Sequence, residues 1–257
     1  MRQQLYQQRY IIYIFFTFLI ALVAGSWSVP LFDVDEGAFS EATREMVVSG
    51  NYLTTWLNGV PRFDKPILIY WFQAVCVHLL GVTEFSFRLP SIFAGLGWAF
   101  AAYGLARQYL DRQRASAASI MVVSSLGVMF IGRAATADAL LNLLLVMTLA
   151  DIYRYSVQKE RFLIYRVFLW MALGVMTKGP VAILIPFCVS GLFFFWQQRF
   201  FDWLKAIFSP LGWLIFVLVA LPWYLFEYLD QGQAFIDGFF LRHNVERFSS
   251  PLEKHAG

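Results

Sequence analysis

Long apolar runs separated by short polar connections set the pattern of this 257-residue chain. Seven of them predict membrane-spanning helices, at 10–29, 89–109, 115–132, 138–153, 163–178, 180–197 and 208–228. A hydrocarbon layer about 30 Å thick takes roughly 20 apolar residues per helical crossing. The runs follow one another so closely that no room remains for a separate globular domain. The first carries Arg2 and Arg9 ahead of it, is long, and lacks a small-x-small cleavage site near its end, so it reads as an uncleaved span.

An eighth apolar stretch, 66–83, decides the topology. If it crosses, the clusters Arg107, Arg112, Arg114 and Arg154, Lys159, Arg161, Arg166 both fall outside, against the positive-inside rule. If it lies along the interface, both join Arg2, Arg9, Arg199 and Lys205 on the cytoplasmic side. The second arrangement is the prediction, and the Trp, Tyr and His residues of 66–83 suit an interfacial position. It places the loop 30–88, the connection 132–137 and the tail after Leu229 together on the outer face. The expected fold is therefore an all-α polytopic membrane protein of about seven transmembrane helices, with interfacial helices in the first outer loop and residues 1–257 forming one transmembrane module.

Composition reinforces this reading: 59% of residues are apolar, 19% aromatic and 14% charged, with a mean hydropathy of +0.59. A water-soluble core could not absorb that much apolar surface. The net charge of +3 is small and gives no sign of nucleic-acid binding. Cys76 and Cys188 lie within apolar runs, where a thiol acts as a small hydrophobe and a disulfide framework is implausible. No fixed-period repeat and no low-complexity tract interrupts the chain.

Within the outer loop, Phe39, Ala42, Met46 and Val47 recur at helical spacing while Glu41, Arg44 and Glu45 take the opposite face, which predicts a second interfacial helix over 36–49. Asp33 or Asp35 is suited to its start and Gly50-Asn51 to its end. Leu57-Asn58-Gly59 reads as a turn. Asp33, Asp35 and Glu36 bring three carboxylates to the membrane surface, an arrangement that either binds a cation, serves as a base or simply caps a helix. Arg62-Phe63-Asp64-Lys65-Pro66 sets two cations and a carboxylate before an apolar helix, with Pro66 suited to its first turn. An ammonium there would anchor a phosphate or contact lipid headgroups in general. Arg133 and Asp138 flank a connection between spans, a costly position unless it faces a cavity or a partner. Lys178, in Thr177-Lys178-Gly179-Pro180, has no acidic neighbour in sequence, and the segment is no P-loop because the Gly-rich run is missing. The tail carries His243 between Arg242 and Arg247, and later His255, without any compact metal-ligand spacing.

Taken in order, Asp35-Glu36, Arg44-Glu45-Met46, Asn58-Gly59, Phe63-Asp64-Lys65-Pro66, Tyr70-Trp71, Arg88-Leu89-Pro90-Ser91, Arg133 with Asp138, Thr177-Lys178-Gly179-Pro180, Pro222-Trp223-Tyr224, His243-Asn244 and Arg247-Phe248 resemble the polyprenyl-phosphate-sugar-dependent glycosyltransferases of the GT-C superfamily. The nearest branch is that of aminoarabinose transferase and the bacterial protein O-mannosyltransferase relatives. The resemblance implies transfer of a sugar, with inversion, from a polyprenyl-phosphate-linked donor to a lipid (lipid A-like) or protein acceptor at the periplasmic face of the bacterial inner membrane. It implies Asp35 and Asp138 as catalytic residues, Lys65, Arg247 and Lys178 as donor phosphate-binding residues, and Asp64 with His243 as ligands of a divalent metal. Two departures stand out. Relatives of the aminoarabinose branch carry Arg-Tyr shortly after Asp-Glu where this chain has Gly37-Ala38-Phe39, and they continue for several further spans, so the chain reads as an N-terminal half.

Two other readings compete. A transporter or flippase would line a path through the bilayer with ionisable residues, whereas the middles of the proposed spans carry almost none. A truncated transferase that inserts without catalysis is the third.

Overall fold

The computed structural model describes residues 2–32 and 34–239, most of them helical. Helix α1 (Arg2–Phe18) continues as a π turn over Leu19–Val23. Then come α2 (Val34–Ser49), a two-stranded hairpin of β1 (Trp56–Leu57) and β2 (Val60–Pro61), α3 (Leu68–Leu80) and α4 (Glu84–Ala106). The rest comprises α5 (Arg112–Val123), α6 (Leu126–Arg133), α7 (Asp138–Gln158), α8 (Arg161–Lys178), α9 (Val181–Trp196), α10 (Phe200–Ile207), α11 (Pro210–Gln231) and the short α12 (Gln233–Phe235).

All seven predicted spans fall on helices, with differences that have local causes. Helices α4, α7 and α11 are long and apolar enough to cross a membrane by length and composition alone, and α5 with α6 makes a fourth if counted as one broken span. That pair was expected as a single helix over 115–132; it is bent by 60° at Ser124-Ser125. There Ser124 Oγ donates to the Ile120 carbonyl and Ser125 Oγ to that of Val122, both at 2.8 Å, the side-chain competition that kinks helices at serines. Helix α3, inside the disputed 66–83 stretch, has 13 residues, about 20 Å of helix, which falls short of a hydrocarbon core of about 30 Å. It starts after Pro66 rather than including it.

Capping decides where several helices begin. Thr83 and Ser86 form a reciprocal capping box ahead of α4. Asp111 accepts the Arg114 N–H at 2.9 Å to start α5, and Ser209 caps α11 with Pro210 at its first turn. The outward surface stays apolar, with Leu192, Leu218 and Phe226 all exposed on α9 and α11, as a lipid-facing surface requires. Cys188 is likewise exposed and Cys76 half-buried, both as free thiols.

Polar contacts sort the helix ends into two groups. At one end Tyr109, just past α4, packs edge-on against Tyr153 of α7, and Arg199, just past α9, donates to the Ser156 carbonyl at 2.7 Å. There also Asp151 of α7, fully buried, pairs with Arg154 and Arg166, each at 2.9 Å, and accepts from Trp170 Nε1 at 3.0 Å. At the other end the start of α4 meets the chain leaving the π turn, the α6–α7 connection meets α2, and the end of α8 meets the start of α7. The main core, built around Phe39, Met46, Ile69, Tyr70, Leu140, Met176 and Trp223, joins α2 and α3 to α7, α8 and α11 at that second end.

Candidate functional site

The polar residues singled out in the sequence gather at this second end, and one buried carboxylate organises them. Helix α2 turns Glu36, Phe39, Ser40, Ala42, Thr43 and Met46 inward, so Glu36, at 0% exposure, sits one position along from Asp35. Glu36 accepts four bonds: from Arg88 Nε at 2.8 Å and Nη2 at 2.9 Å, from the Phe32 N–H at 3.0 Å and from the Ala135 N–H at 2.8 Å. Arg88 spends its remaining donors on the carbonyls of Ser26, Val29 and Pro30. Burial pushes the Glu36 carboxyl upward and is the largest single influence, but the Arg88 bonds, the two backbone N–H groups and the Arg88 charge together hold it below the ordinary carboxylate range. The result is a lock joining the start of α2, the start of α4 and the α6–α7 connection.

Gln73 of α3 adds a second tie. Its carbonyl oxygen accepts from Thr43 Oγ1 at 2.7 Å, and its amide donates to the carbonyls of Phe87 and Ala135 at 3.1 and 3.2 Å. Between α2 and α3 the chain makes the expected turn at Asn58-Gly59, where both residues have positive φ (54° and 73°), as a two-residue hairpin with this twist demands. Glu45 of α2 accepts the N–H groups of both. The hairpin delivers Arg62, Asp64 and Lys65 to the protein interior: Asp64 accepts from Arg62 Nη2 at 2.9 Å and from Lys65 Nζ at 2.6 Å.

Asp35 lies in the first turn of α2, exposed, and its charge reaches the buried Tyr70 hydroxyl together with those of Arg62 and Asp64. Asp138 begins α7, three residues past the Ala135 N–H that Glu36 holds, and pairs with Lys178 at the end of α8. Thr136 Oγ1 also lies 3.3 Å from Asp138 Oδ2. Asp35 and Asp138 are therefore at the same end of the bundle, as the interfacial placement of α3 requires. Arg133 is not the partner of Asp138. It turns to the π turn and donates to the carbonyls of Ile20 and Ala21.

Among the expected donor phosphate-binding residues, Lys65 and Lys178 are both present at this end and both ion-paired, while Arg247 lies outside the described residues, as does His243. Each oxygen of Asp64 is engaged by a cation, one by Arg62 Nη2 and the other by Lys65 Nζ. No group of three or more His, Cys, Asp or Glu side chains able to hold a metal occurs among the described residues.

For three features of the site the sequence alone named no partner. Glu36 looked like one member of an acidic cluster, and only the fold reveals its partner, 52 residues on. Gln73 sits in an apolar stretch without any local signal. Thr54 Oγ1 lies 2.9 Å from Glu227 and 3.3 Å from Asp230 of α11, which ties the hairpin loop to the last long helix.

Comparison with known proteins agrees with this architecture. The profile of the dolichyl-phosphate-mannose-protein mannosyltransferase family matches residues 64–226. An undecaprenyl phosphate-alpha-4-amino-4-deoxy-L-arabinose arabinosyl transferase of Shewanella sediminis is 29% identical over 95% of this chain and 45% of its own length. The protein of the same name from Aeromonas hydrophila is 30% identical over 88% and 42%. The crystal structure of ArnT from Cupriavidus metallidurans bound to undecaprenyl phosphate superposes with a TM-score of 0.82 at 22% identity, covering 91% of this chain and 43% of that one. Its apo form gives 0.83 at 21%, covering 94% and 45%. The fold is thus that of a polytopic membrane protein, and the chain spans about half the length of the curated relatives it matches.

Proposed function

The chain belongs to the dolichyl-phosphate-mannose-protein mannosyltransferase family, and from that premise we propose that it provides the catalytic end of a glycosyltransferase using a polyprenyl-phosphate-linked sugar at the periplasmic face of a bacterial inner membrane. The observation that carries this reading is the convergence of Asp35, the Arg62–Asp64–Lys65 group and the Asp138–Lys178 pair on one end of the bundle, beside helices too short to cross the bilayer. Relatives named for undecaprenyl phosphate-linked aminoarabinose support a polyprenyl-phosphate donor, and the resemblance to that branch makes a lipid A-like acceptor the first choice, with a protein acceptor second.

In this reaction the acceptor hydroxyl attacks the anomeric carbon, the bond from that carbon to the phosphate oxygen breaks, and the lipid phosphate leaves with the electron pair. Asp35, exposed and in no ion pair among the described residues, takes the proton from the acceptor oxygen. Lys65 and Lys178 stabilise the charge gathering on the leaving phosphate, in surroundings where water screens it little. Asp138, tied to Lys178, sets the position of that ammonium.

Membranes containing the protein, supplied with a labelled polyprenyl-phosphate sugar, test the assignment. Asp35→Asn should insert normally and lose transfer by about a hundredfold or more. Transfer near the wild-type rate would remove Asp35 from the chemistry.

A further inference from the structure

A cation between spans is costly unless it meets a cavity or a partner, and Arg133 has the cavity without the partner. Of the five N–H groups on a guanidinium, Nε spends one on the Ala21 carbonyl at 2.6 Å and Nη2 one on that of Ile20 at 2.9 Å. Nη1 makes no hydrogen bond among the described residues, and no carboxylate there pairs with Arg133. The two carbonyls fix the direction of the side chain without supplying a counter-charge.

Arg133 lines a cavity of about 150 Å³ together with Ser26, Val29, Phe32, Arg88 and Phe130. It lies beside the Glu36–Arg88 lock and is partly open to its surroundings. One water needs only about 10–15 Å³, so the space takes a larger group. Arg88 adds no net charge, because Glu36 holds its guanidinium in two bonds. Asp35 is not one of the walls and its charge reaches Tyr70 instead, while Asp33 lies outside the described residues. Among the described residues the walls therefore carry one net positive charge, on Arg133.

The rim decides what kind of anion fits. Val29, Phe32 and Phe130 are 50%, 52% and 63% exposed, and the two rings meet edge-on at 5.5 Å. In a chain that lies in a membrane, such a rim meets acyl chains. A small water-soluble anion would leave it uncovered, whereas an anionic amphiphile places its charge on the guanidinium and its chain across the rings. Phosphate is the anion that a bilayer surface supplies, and its oxygens suit a guanidinium edge.

We propose that this cavity binds an anionic phospholipid of the surrounding leaflet, with its phosphodiester on Arg133 Nη1 and an acyl chain across Phe32 and Phe130. The lipid joins the end of the first helix to α6 beside the lock. Asp35, Lys65 and Lys178 take no part, so occupancy does not depend on sugar transfer.

The test uses the purified full chain, delipidated in detergent. It measures binding of phosphatidylglycerol, of diacylglycerol with the same chains and of inorganic phosphate, together with the melting temperature of each lipid-free variant. Arginines at the opposite end of the bundle attract the same lipid, so the decisive reading is a pair of variants at one wall residue. Val29→Glu puts a carboxylate into the cavity and leaves the two carbonyl bonds of Arg133 intact, while Val29→Gln adds the same bulk without the charge. The most tightly held phosphatidylglycerol should bind the Glu variant at least about tenfold more weakly than the Gln variant, the worth of one bond to a charged group, with a melting temperature equal or higher. Arg133→Gln should show the same loss of affinity. If it lowers the melting temperature and keeps the affinity, Arg133 only caps the π turn and the proposal is overturned. Equal affinity in the two Val29 variants overturns it as well. Diacylglycerol binding as tightly as phosphatidylglycerol would remove the phosphate from recognition, and inorganic phosphate binding as tightly as the lipid would remove the chain; either result overturns the proposal.

Discussion

Replacing Glu36 by Gln probes the lock on which the site geometry hangs. The side chain keeps its shape but offers one acceptor oxygen in place of two, so two of its four bonds are lost and its new amide N–H group faces donors. Arg88, 3% exposed, is then left as a buried cation without a counter-charge, and breaking a buried pair in this way costs about 3–5 kcal/mol. At about 2 °C per kcal/mol for a chain of this size, melting in detergent should fall by about 6 °C or more. Glu41→Gln serves as the control, since its partner Arg44 forms an exposed i,i+3 pair worth about 0–1 kcal/mol. The pH dependence has a definite sign. Because the Glu36 carboxyl is held below its ordinary value of 4.5, its stabilisation is complete above that pH and is lost as pH falls through the lower folded-state value. The gap between wild type and variant should stay flat from neutral pH to about 4.5 and narrow only below it. A Glu36→Gln protein that melts within the range of the Glu41→Gln control, or a gap that widens in acid, would refute the reasoning.

Other perturbations separate the two ends of the bundle. Asp151→Asn leaves Arg154 and Arg166 around a neutral amide, so stability should fall by about 3–5 kcal/mol in thermal melts while polyprenyl phosphate affinity of the folded protein is unchanged. Lys178→Met releases Asp138 and removes a cation from the leaving-group side; steady-state assays should show kcat down about tenfold or more, with a smaller change in KM. Gly238→Ala places a Cβ 2.6 Å from Phe63 Cδ2 and 3.2 Å from Phe63 Cβ, and the crowding should cost about 1–3 kcal/mol and weaken donor binding through the adjoining Asp64.

Local patterns were legible in the sequence because their causes are local. The inward face of α2 follows from Phe39, Ala42 and Met46 at helical spacing, and the hairpin from Asn58-Gly59. The bend between α5 and α6 had its cause in view at Ser124-Ser125, but the apolar run was long enough to mask it. Partnerships were the hidden part. Lys178 had no acidic neighbour in sequence, because its partner Asp138 lies 40 residues away. Arg62 and Lys65, the sequence neighbours of Asp64, fold back onto its two oxygens, a local pairing the sequence did not announce.

The proposed site exists only if Asp35 and Asp138 open to the same side of the membrane. Single cysteines at Val34, Thr136 and Lys159, introduced after replacing Cys76 and Cys188 by alanine, can be treated with a membrane-impermeant maleimide in intact spheroplasts and in inverted vesicles. Positions 34 and 136 should label together from the periplasmic side and position 159 only from the cytoplasmic side. Labelling of 34 and 136 from opposite sides would dissolve the shared site.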